Sequence, residues 1–206
     1  MNTMLKNRWL RLCDDAGLDG HAQWLALSAA YAGPARAYHN LNHVADCLVR
    51  FDEYIHHATD PVAVEFAIWF HDVVYDTHVP ENEERSAMVG AEFLSATSHG
   101  TVVANLIRAT RHDALPGTPD AVLLCDIDLS ILGRPPAVYD AYACAIREEY
   151  SWVPLADFVE GRTRVLQSFL GRPSVFHLDE MEKTYGEHAK VNMMREIYEL
   201  AQLATD

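Results

Sequence analysis

The sequence predicts an all-α fold, a compact single-domain helical bundle. Apolar residues recur at three- and four-residue spacing along most of the chain, a pattern that is typical of amphipathic helices. No alternating apolar and polar run is long enough to predict a sheet, and no repeat or low-complexity segment interrupts the chain. A chain of 206 residues is also long enough to bury one substantial core.

Short breaks separate the predicted helices. The segment 32–36, "AGPAR", ends the second helix, and "YHNLNH" opens the third. The fourth has Asp60 as its N-cap and Pro61 at its first position, and its apolar sequence predicts a central buried helix. Asp120 is the expected cap of the seventh. The predicted helices cover residues 3–14, 21–31, 38–58, 61–76, 81–97, 101–113, 122–132, 137–153, 155–171 and 180–204.

Composition and charge limit the classes of partner. The formal net charge of −14 disfavours binding to a nucleic-acid backbone, because phosphates need a basic surface. No apolar run is long enough to span a membrane and no secretory signal occurs, so we expect a cytoplasmic location. The four cysteines have no close pairing and are expected to be reduced, mostly buried thiols. They are Cys13, Cys47, Cys125 and Cys144.

Three polar anomalies predict a metal site. His71–Asp72 follows the apolar run "AIWF", where an ionisable pair costs free energy unless each group finds a partner. A lone histidine there would more often be a satisfied core residue, but the adjacent carboxylate favours a metal ion. Asp126 and Asp128 lie in the apolar segment "LLCDIDLSIL". The alternative to a metal ligand is that one of them caps a helix. His43 could equally lie on a solvated helix face. Mixed nitrogen and carboxylate ligands suit a divalent transition ion.

The order of these residues resembles a known superfamily. His43, His71–Asp72 and Asp128 are together similar to the motif set of the HD-domain superfamily of metal-dependent phosphohydrolases. "YHNLNH" and "DLS" also resemble motifs of cyclic-nucleotide phosphodiesterases, which share that helical fold. From about residue 36 onward the chain resembles the bacterial predicted metal-dependent HD phosphohydrolases, most strongly in "RAYHNLNH", "WFHDVVYD", "NEERSA", "ATRHD" and "DIDLSILG". The purine-binding segment of the larger phosphodiesterases has no recognisable counterpart, so cyclic-nucleotide hydrolysis is not implied.

The resemblance implies roles for these residues. Asp128 is preferred to Asp126 as a ligand, because the aspartate before "LS" is the ligand in phosphodiesterases. Asp72 would also orient the attacking water or take its proton. His39 falls where phosphodiesterases have their general acid, and its four-residue spacing from His43 predicts that both share one helix face. The cofactor would be a divalent ion: Mn, Fe, Co, Ni, Zn or Mg. The implied metal ligands are His43, His71, Asp72 and Asp128.

Further residues have less specific roles. Some HD proteins hold two metals, and His112 is the candidate that would help complete a second site. The alternative role for His112 is that of a loop histidine at a helix end, where the helix dipole favours it. Arg36, Arg85 and Arg111 are candidates for binding substrate phosphate, and each could instead form a salt bridge with one of the many carboxylates.

These assignments predict a metal-dependent phosphohydrolase that cleaves a phosphate ester of a small metabolite, with a nucleotide as the preferred substrate. The alternatives are an HD-like diiron oxygenase, which needs more ligands than the core four, and a non-catalytic nucleotide-binding domain that signals through a partner. The metal-site core would span about residues 36–133, with helices over 137–203 packed on it, in one domain over 1–206. Exposed apolar positions on the terminal helices are compatible with a homodimer.

Overall fold

The computed structural model describes residues 2–203, which form helices joined by turns. No β-strand occurs within that range, so the all-α prediction is confirmed. The chain divides into two compact units, the first ending at Ile127 and the second beginning at Asp128. The single-domain organisation stays a prediction, as does the packing of the C-terminal helices on the metal-site core. None of the helices in the described range is long and apolar enough to cross a bilayer.

Helices α1 to α7 build the first unit, and α7 runs on to Leu129 in the second. Most of them begin and end within a few residues of the predicted positions. They are α1 (Asn2–Asp15), α2 (His21–Ala30), α3 (Leu41–Tyr54), α4 (Pro61–Phe70), α5 (Asn82–Phe93), α6 (Gly100–Ala109) and α7 (Pro119–Leu129), with a 3-10 turn at Ile55–His57 after α3.

The core of the first unit is built around α4 and Trp9. Trp9 of α1 is fully buried, and its ring makes edge-on contacts with three aromatic rings of α4. Its Nε1–H donates to the carbonyl of Gly20 at 2.8 Å, so the indole is satisfied inside the core. Nearly every side of α4 is buried, which confirms the prediction of a central helix.

The two ends of α4 differ in how well they were predicted. Asp60 accepts a hydrogen bond from the N–H of Ala63 at 3.0 Å and Pro61 opens the helix, as expected. The helix then ends at Phe70 and does not continue to residue 76. The prediction that the His71–Asp72 pair is helical is therefore wrong, and the pair stands on the turn that follows.

Asp120 does not cap its own helix, contrary to the prediction. The side chain of Thr118 accepts from the N–H of Ala121 at 3.2 Å, so Thr118 is the cap of α7. The carboxylate of Asp120 instead accepts from the N–H groups of Thr59, at 2.6 Å, and Asp60, at 3.1 Å. It therefore holds the turn before α4, through a contact that spans 61 residues of sequence.

The Asp120→Ala variant is expected to lower the free energy of unfolding by about 1–3 kcal/mol, because two partly buried N–H groups lose their acceptor. Thr118→Ala should cost about 1 kcal/mol, the usual effect of a lost N-cap. Denaturant unfolding followed by circular dichroism measures both changes, with the exposed Asp113→Ala as the control. A larger loss in Thr118→Ala than in Asp120→Ala would contradict this ranking.

The second unit consists of a short turn and the remaining helices. Its closing segments run on without a break, as the predicted long closing helix requires, and a π-helical stretch joins them. The predicted end of that helix, Ala204, lies outside the described residues. The elements are a 3-10 turn at Ser130–Gly133, α8 (Pro136–Glu149), α9 (Leu155–Leu170), α10 (Asp179–Met181), the π-helical stretch Glu182–Gly186 and α11 (Glu187–Leu203).

The 3-10 turn packs closely against the closing helix. The side-chain amide of Asn192 on α11 donates to the carbonyls of Leu132 and Arg134, each at 2.9 Å. A Cβ at Gly133 would lie 2.4 Å from Cβ of Tyr185, a distance that no real pair of side chains adopts. Glycine is therefore required at this point by the close approach of the helix.

Candidate metal centre

Two imidazoles from neighbouring helices meet in the core of the first unit. His43 lies in the first turn of α3, and His71 directly follows α4; both are buried. Their Nε2 atoms are 3.0 Å apart, although the residues are separated by 28 positions in the sequence. The packing of α3 against α4 thus brings together two of the four predicted ligands.

A backbone contact orients the ring of His71. Its Nδ1 lies 2.9 Å from the carbonyl oxygen of Ile68 in the last turn of α4. A carbonyl can only accept, so Nδ1 carries a proton, and Nε2, which faces His43, is the ring nitrogen that could bind a metal ion. Histidines that ligate metals commonly hold their rings in this way, with the second ring N–H donated to a carbonyl or carboxylate.

The carboxylate of Asp72 joins the two imidazoles. Its Oδ2 lies 3.1 Å from Nε2 of His71 and 3.5 Å from Nε2 of His43. Burial raises the pKa of this carboxyl, but the neighbouring imidazoles, that of His39 included, outweigh burial and hold the pKa well below its ordinary range. Asp72 is therefore an anion placed against two ring nitrogens.

The spacing of these three atoms fits a metal ion. Ligand atoms held about 2.1 Å from one ion lie about 3.0 Å apart in octahedral geometry and about 3.4 Å apart in tetrahedral geometry. The observed separations of 3.0, 3.1 and 3.5 Å match those edges. Hydrogen bonds among the three groups alone would give similar distances, and measuring the bound metal separates the two arrangements.

Cys47 is a fourth metal-capable side chain, which the sequence reasoning missed. It lies one turn after His43 on α3 and is buried, with Sγ 3.8 Å from Nε2 of His43. The ligand atoms of His43, Cys47 and His71 all lie within 4.8 Å of one another. The four-residue spacing from His43 was the signal that could have identified it. The first unit therefore contains a buried group that could hold a metal ion.

His39 lies next to this group, but for a different reason from the predicted one. α3 begins at Leu41 because the side chain of Asn40 caps it, so His39 precedes the helix and shares no helical face with His43. Its ring stacks on that of Tyr75, with centroids 4.1 Å apart, and lies 5.8 Å from the ring of His43. The turn, and not the helix, brings His39 to the site.

Hydrogen bonds from Arg36 connect the turn before α3 to the turn after α4. Its guanidinium also lies 5.1 Å from the ring centroid of Tyr31 and 5.5 Å from that of Tyr75, within cation–π range. These contacts support a structural role, and its predicted role in binding substrate phosphate stays a prediction. The guanidinium donates to three carbonyl groups, those of His39 (2.9 Å), Asp72 (2.7 Å) and Val73 (3.0 Å).

The other predicted accessory residues are not members of this group. Arg111 forms an exposed ion pair with Asp113 at 3.1 Å, the alternative considered for it. Arg85 is exposed on α5. His112 follows α6 with a backbone φ of 58°, in the left-handed region. Within residues 2–203, none of these three predicted residues belongs to the metal-capable group around His43.

The two aspartates of α7 differ in position and burial. Asp126 is fully buried in the first unit, whereas Asp128 is half-buried and is the first residue of the second unit. Residues two apart on a helix point about 200° away from each other, so the two carboxylates face opposite sides of α7. The role of Asp128 as a ligand stays a prediction.

Comparison of the chain with family models, with curated proteins and with solved structures gives no match. The resemblance to HD-domain phosphohydrolases is therefore carried by the motifs alone. What distinguishes this site is the chemistry of its own side chains: two imidazoles, a carboxylate and a thiol in a buried cluster.

Proposed function

We propose that this protein is an HD-type metal-dependent phosphohydrolase that cleaves a phosphate ester of a small metabolite, with nucleotides as the preferred substrate class. The observation that carries the proposal is the convergence of His43, His71 and Asp72 within 3.0–3.5 Å. Buried ionisable groups cluster in this way at functional sites more often than in ordinary cores. The same residues, in the same order, form the motif set that resembles HD phosphohydrolases.

His43, His71 and Asp72 would hold the ion, and the motif resemblance assigns Asp128 as a further ligand. A bound divalent ion lowers the pKa of a water molecule and polarises a phosphoryl oxygen. The Nδ1–H of His71 stays on the Ile68 carbonyl, so its Nε2 is available as a ligand. The carboxylate of Asp72, held as an anion, can accept a hydrogen bond from the attacking water and orient it.

His39 would supply the proton that the departing oxygen needs. Its imidazole borders the cluster, 5.8 Å from the ring of His43. Stacking on Tyr75 and the bond from Arg36 to its carbonyl restrict the ring and the backbone. General acids held in this way typically contribute about 10²- to 10⁴-fold to a rate.

The Asp72→Ala variant is expected to lose bound metal and hydrolytic activity together. Changes beside a metal ligand already cost about 10- to 100-fold, so removal of a ligand should lower the rate by more than about 10²-fold. Metal analysis of the purified protein measures the first effect. Turnover of phosphate esters and nucleotides, with added Mn or Ni, measures the second.

Asp76→Ala is the matched control, because Asp76 is an exposed aspartate four residues later that bonds to His78. It should keep both metal and activity. Retained metal and full activity in Asp72→Ala would exclude the site assignment. Two irons per chain with no hydrolysis would favour the diiron oxygenase instead. Bound metal with the whole panel untouched would favour a non-catalytic signalling domain.

A further inference from the structure

We propose that Cys47 is a further ligand of the candidate metal centre, and that its thiolate makes the centre select zinc over manganese and magnesium. The inference rests on the proposed metal centre and does not depend on the hydrolytic reaction. It adds a ligand outside the set of His43, His71, Asp72 and Asp128, and it favours zinc over the two oxygen-preferring ions of the expected list, magnesium and manganese.

Helix geometry directs Cys47 toward the cluster. Residues four apart on a helix lie on one face, and a histidine pair at this spacing is a known zinc-binding arrangement. Cys47 follows His43 by four residues on α3, and both side chains are buried. A single helix turn therefore presents an imidazole nitrogen and a sulfur to the same point in the core.

The distances also suit shared coordination. Zinc binds sulfur at about 2.3 Å and imidazole nitrogen at about 2.0–2.1 Å, which separates the two ligand atoms by about 3.6 Å at a tetrahedral angle. Sγ of Cys47 lies 3.8 Å from Nε2 of His43. It also lies within 4.8 Å of the ligand nitrogen of His71. For all three atoms to bind one ion, Sγ must also come to about 3.6 Å from the ligand nitrogen of His71.

Another buried thiol of the same unit provides a contrast. Sγ of Cys125 donates to the carbonyl of Ala109 at 3.2 Å, so this thiol has a backbone acceptor. Cys47, by comparison, contacts the ring of a predicted metal ligand. Both cysteines are buried, so Cys125 is a suitable control for a change at Cys47.

The thiolate determines which ion is favoured. Soft sulfur ligands favour zinc and other thiophilic ions, whereas magnesium and manganese prefer oxygen. On binding, the Cys47 thiol releases its proton to solvent as the sulfur–metal bond forms, and no electron is transferred. Replacing this sulfur by a serine hydroxyl should therefore weaken zinc more than manganese.

X-ray absorption of the zinc-loaded wild-type protein tests the ligand directly. We expect one sulfur neighbour at about 2.3 Å together with nitrogen and oxygen neighbours at about 2.0–2.2 Å. Bound zinc with only nitrogen and oxygen neighbours would overturn the role of Cys47 and leave the proposed metal centre intact. A protein that binds no zinc would contradict both. A sulfur neighbour in a protein without hydrolytic activity would support Cys47 and contradict the proposed reaction alone.

Competition between zinc and manganese then tests selectivity. In Cys47→Ser the preference for zinc should fall by about tenfold or more, which corresponds to about 1.4 kcal/mol. Cys125→Ser is the matched control and should keep the wild-type preference. Circular dichroism establishes that both variants are folded, and the absorption measurement on the wild type needs neither of them. An unchanged preference in folded Cys47→Ser would contradict the proposal.

Discussion

The His39→Ala variant is expected to keep its bound metal and to lose about 10²- to 10⁴-fold in turnover. Metal content and rate should respond differently because His39 is proposed as a proton donor and lies outside the proposed ligand set of His43, His71 and Asp72. Its ring stacks on Tyr75 and lies 5.8 Å from the ring of His43. Metal analysis and steady-state rates, measured on the same preparation, test the prediction.

The contacts of His39 explain why its loss should leave the cluster in place. Its ring packs against Tyr75, and its carbonyl accepts from Arg36. The alanine variant keeps that carbonyl, and the other two carbonyl bonds of Arg36 do not involve His39. The turns before α3 and after α4 therefore stay joined, and the ligands keep their positions.

A surface histidine provides the control. His78 is exposed and pairs with Asp76 at 2.9 Å, so His78→Ala should change neither metal content nor rate. Added imidazole should restore part of the activity of His39→Ala, because the deleted ring leaves room beside Tyr75. Loss of metal in His39→Ala would reassign this residue as a ligand. An unchanged rate would remove it from the mechanism.

The fold class was predictable because helical periodicity is a local property that persists along the chain. The ends of helices were less predictable, because single contacts decide them. α3 starts at Leu41 since Asn40 binds both the N–H of Asn42 and the carbonyls of residues 36 and 37. Nothing in the periodicity of "YHNLNH" distinguishes that start from one three residues earlier.

The sequence showed that His71 and Asp72 need polar partners, because they follow an apolar segment in which unpartnered charge is costly. Contacts between distant segments were not predictable from residue spacing. Arg36 donates to carbonyls 36 and 37 positions away, and Asp120 accepts from N–H groups 61 and 60 positions away. Such contacts depend on how helices pack, which residue spacing along one helix does not encode. The contact between Cys47 and His43 is an exception that spacing could have predicted, since the two residues are one helical turn apart on α3.

The second unit contains a buried ion pair whose disruption should have a large effect on stability. Arg162 of α9 makes two bonds to Glu196 of α11, at 2.8 and 3.1 Å, and both side chains are under a tenth exposed. The hydroxyl of Tyr139 on α8 also donates to Glu196. Burial alone would lower the pKa of Arg162, but its partners raise it well above the ordinary value.

The Glu196→Gln variant is expected to lower the free energy of unfolding by about 3–5 kcal/mol, because it leaves the Arg162 guanidinium buried without its counter-charge. The double variant Arg162→Met/Glu196→Leu should recover part of that loss, since apolar residues of similar volume carry no desolvation penalty, while the buried Tyr139 hydroxyl still lacks its acceptor. Glu160→Gln, which breaks an exposed pair with Arg164, should cost no more than about 1 kcal/mol. Denaturant unfolding of the four proteins measures the differences. If Glu196→Gln were no more destabilising than Glu160→Gln, the buried pair would not be what joins α8, α9 and α11.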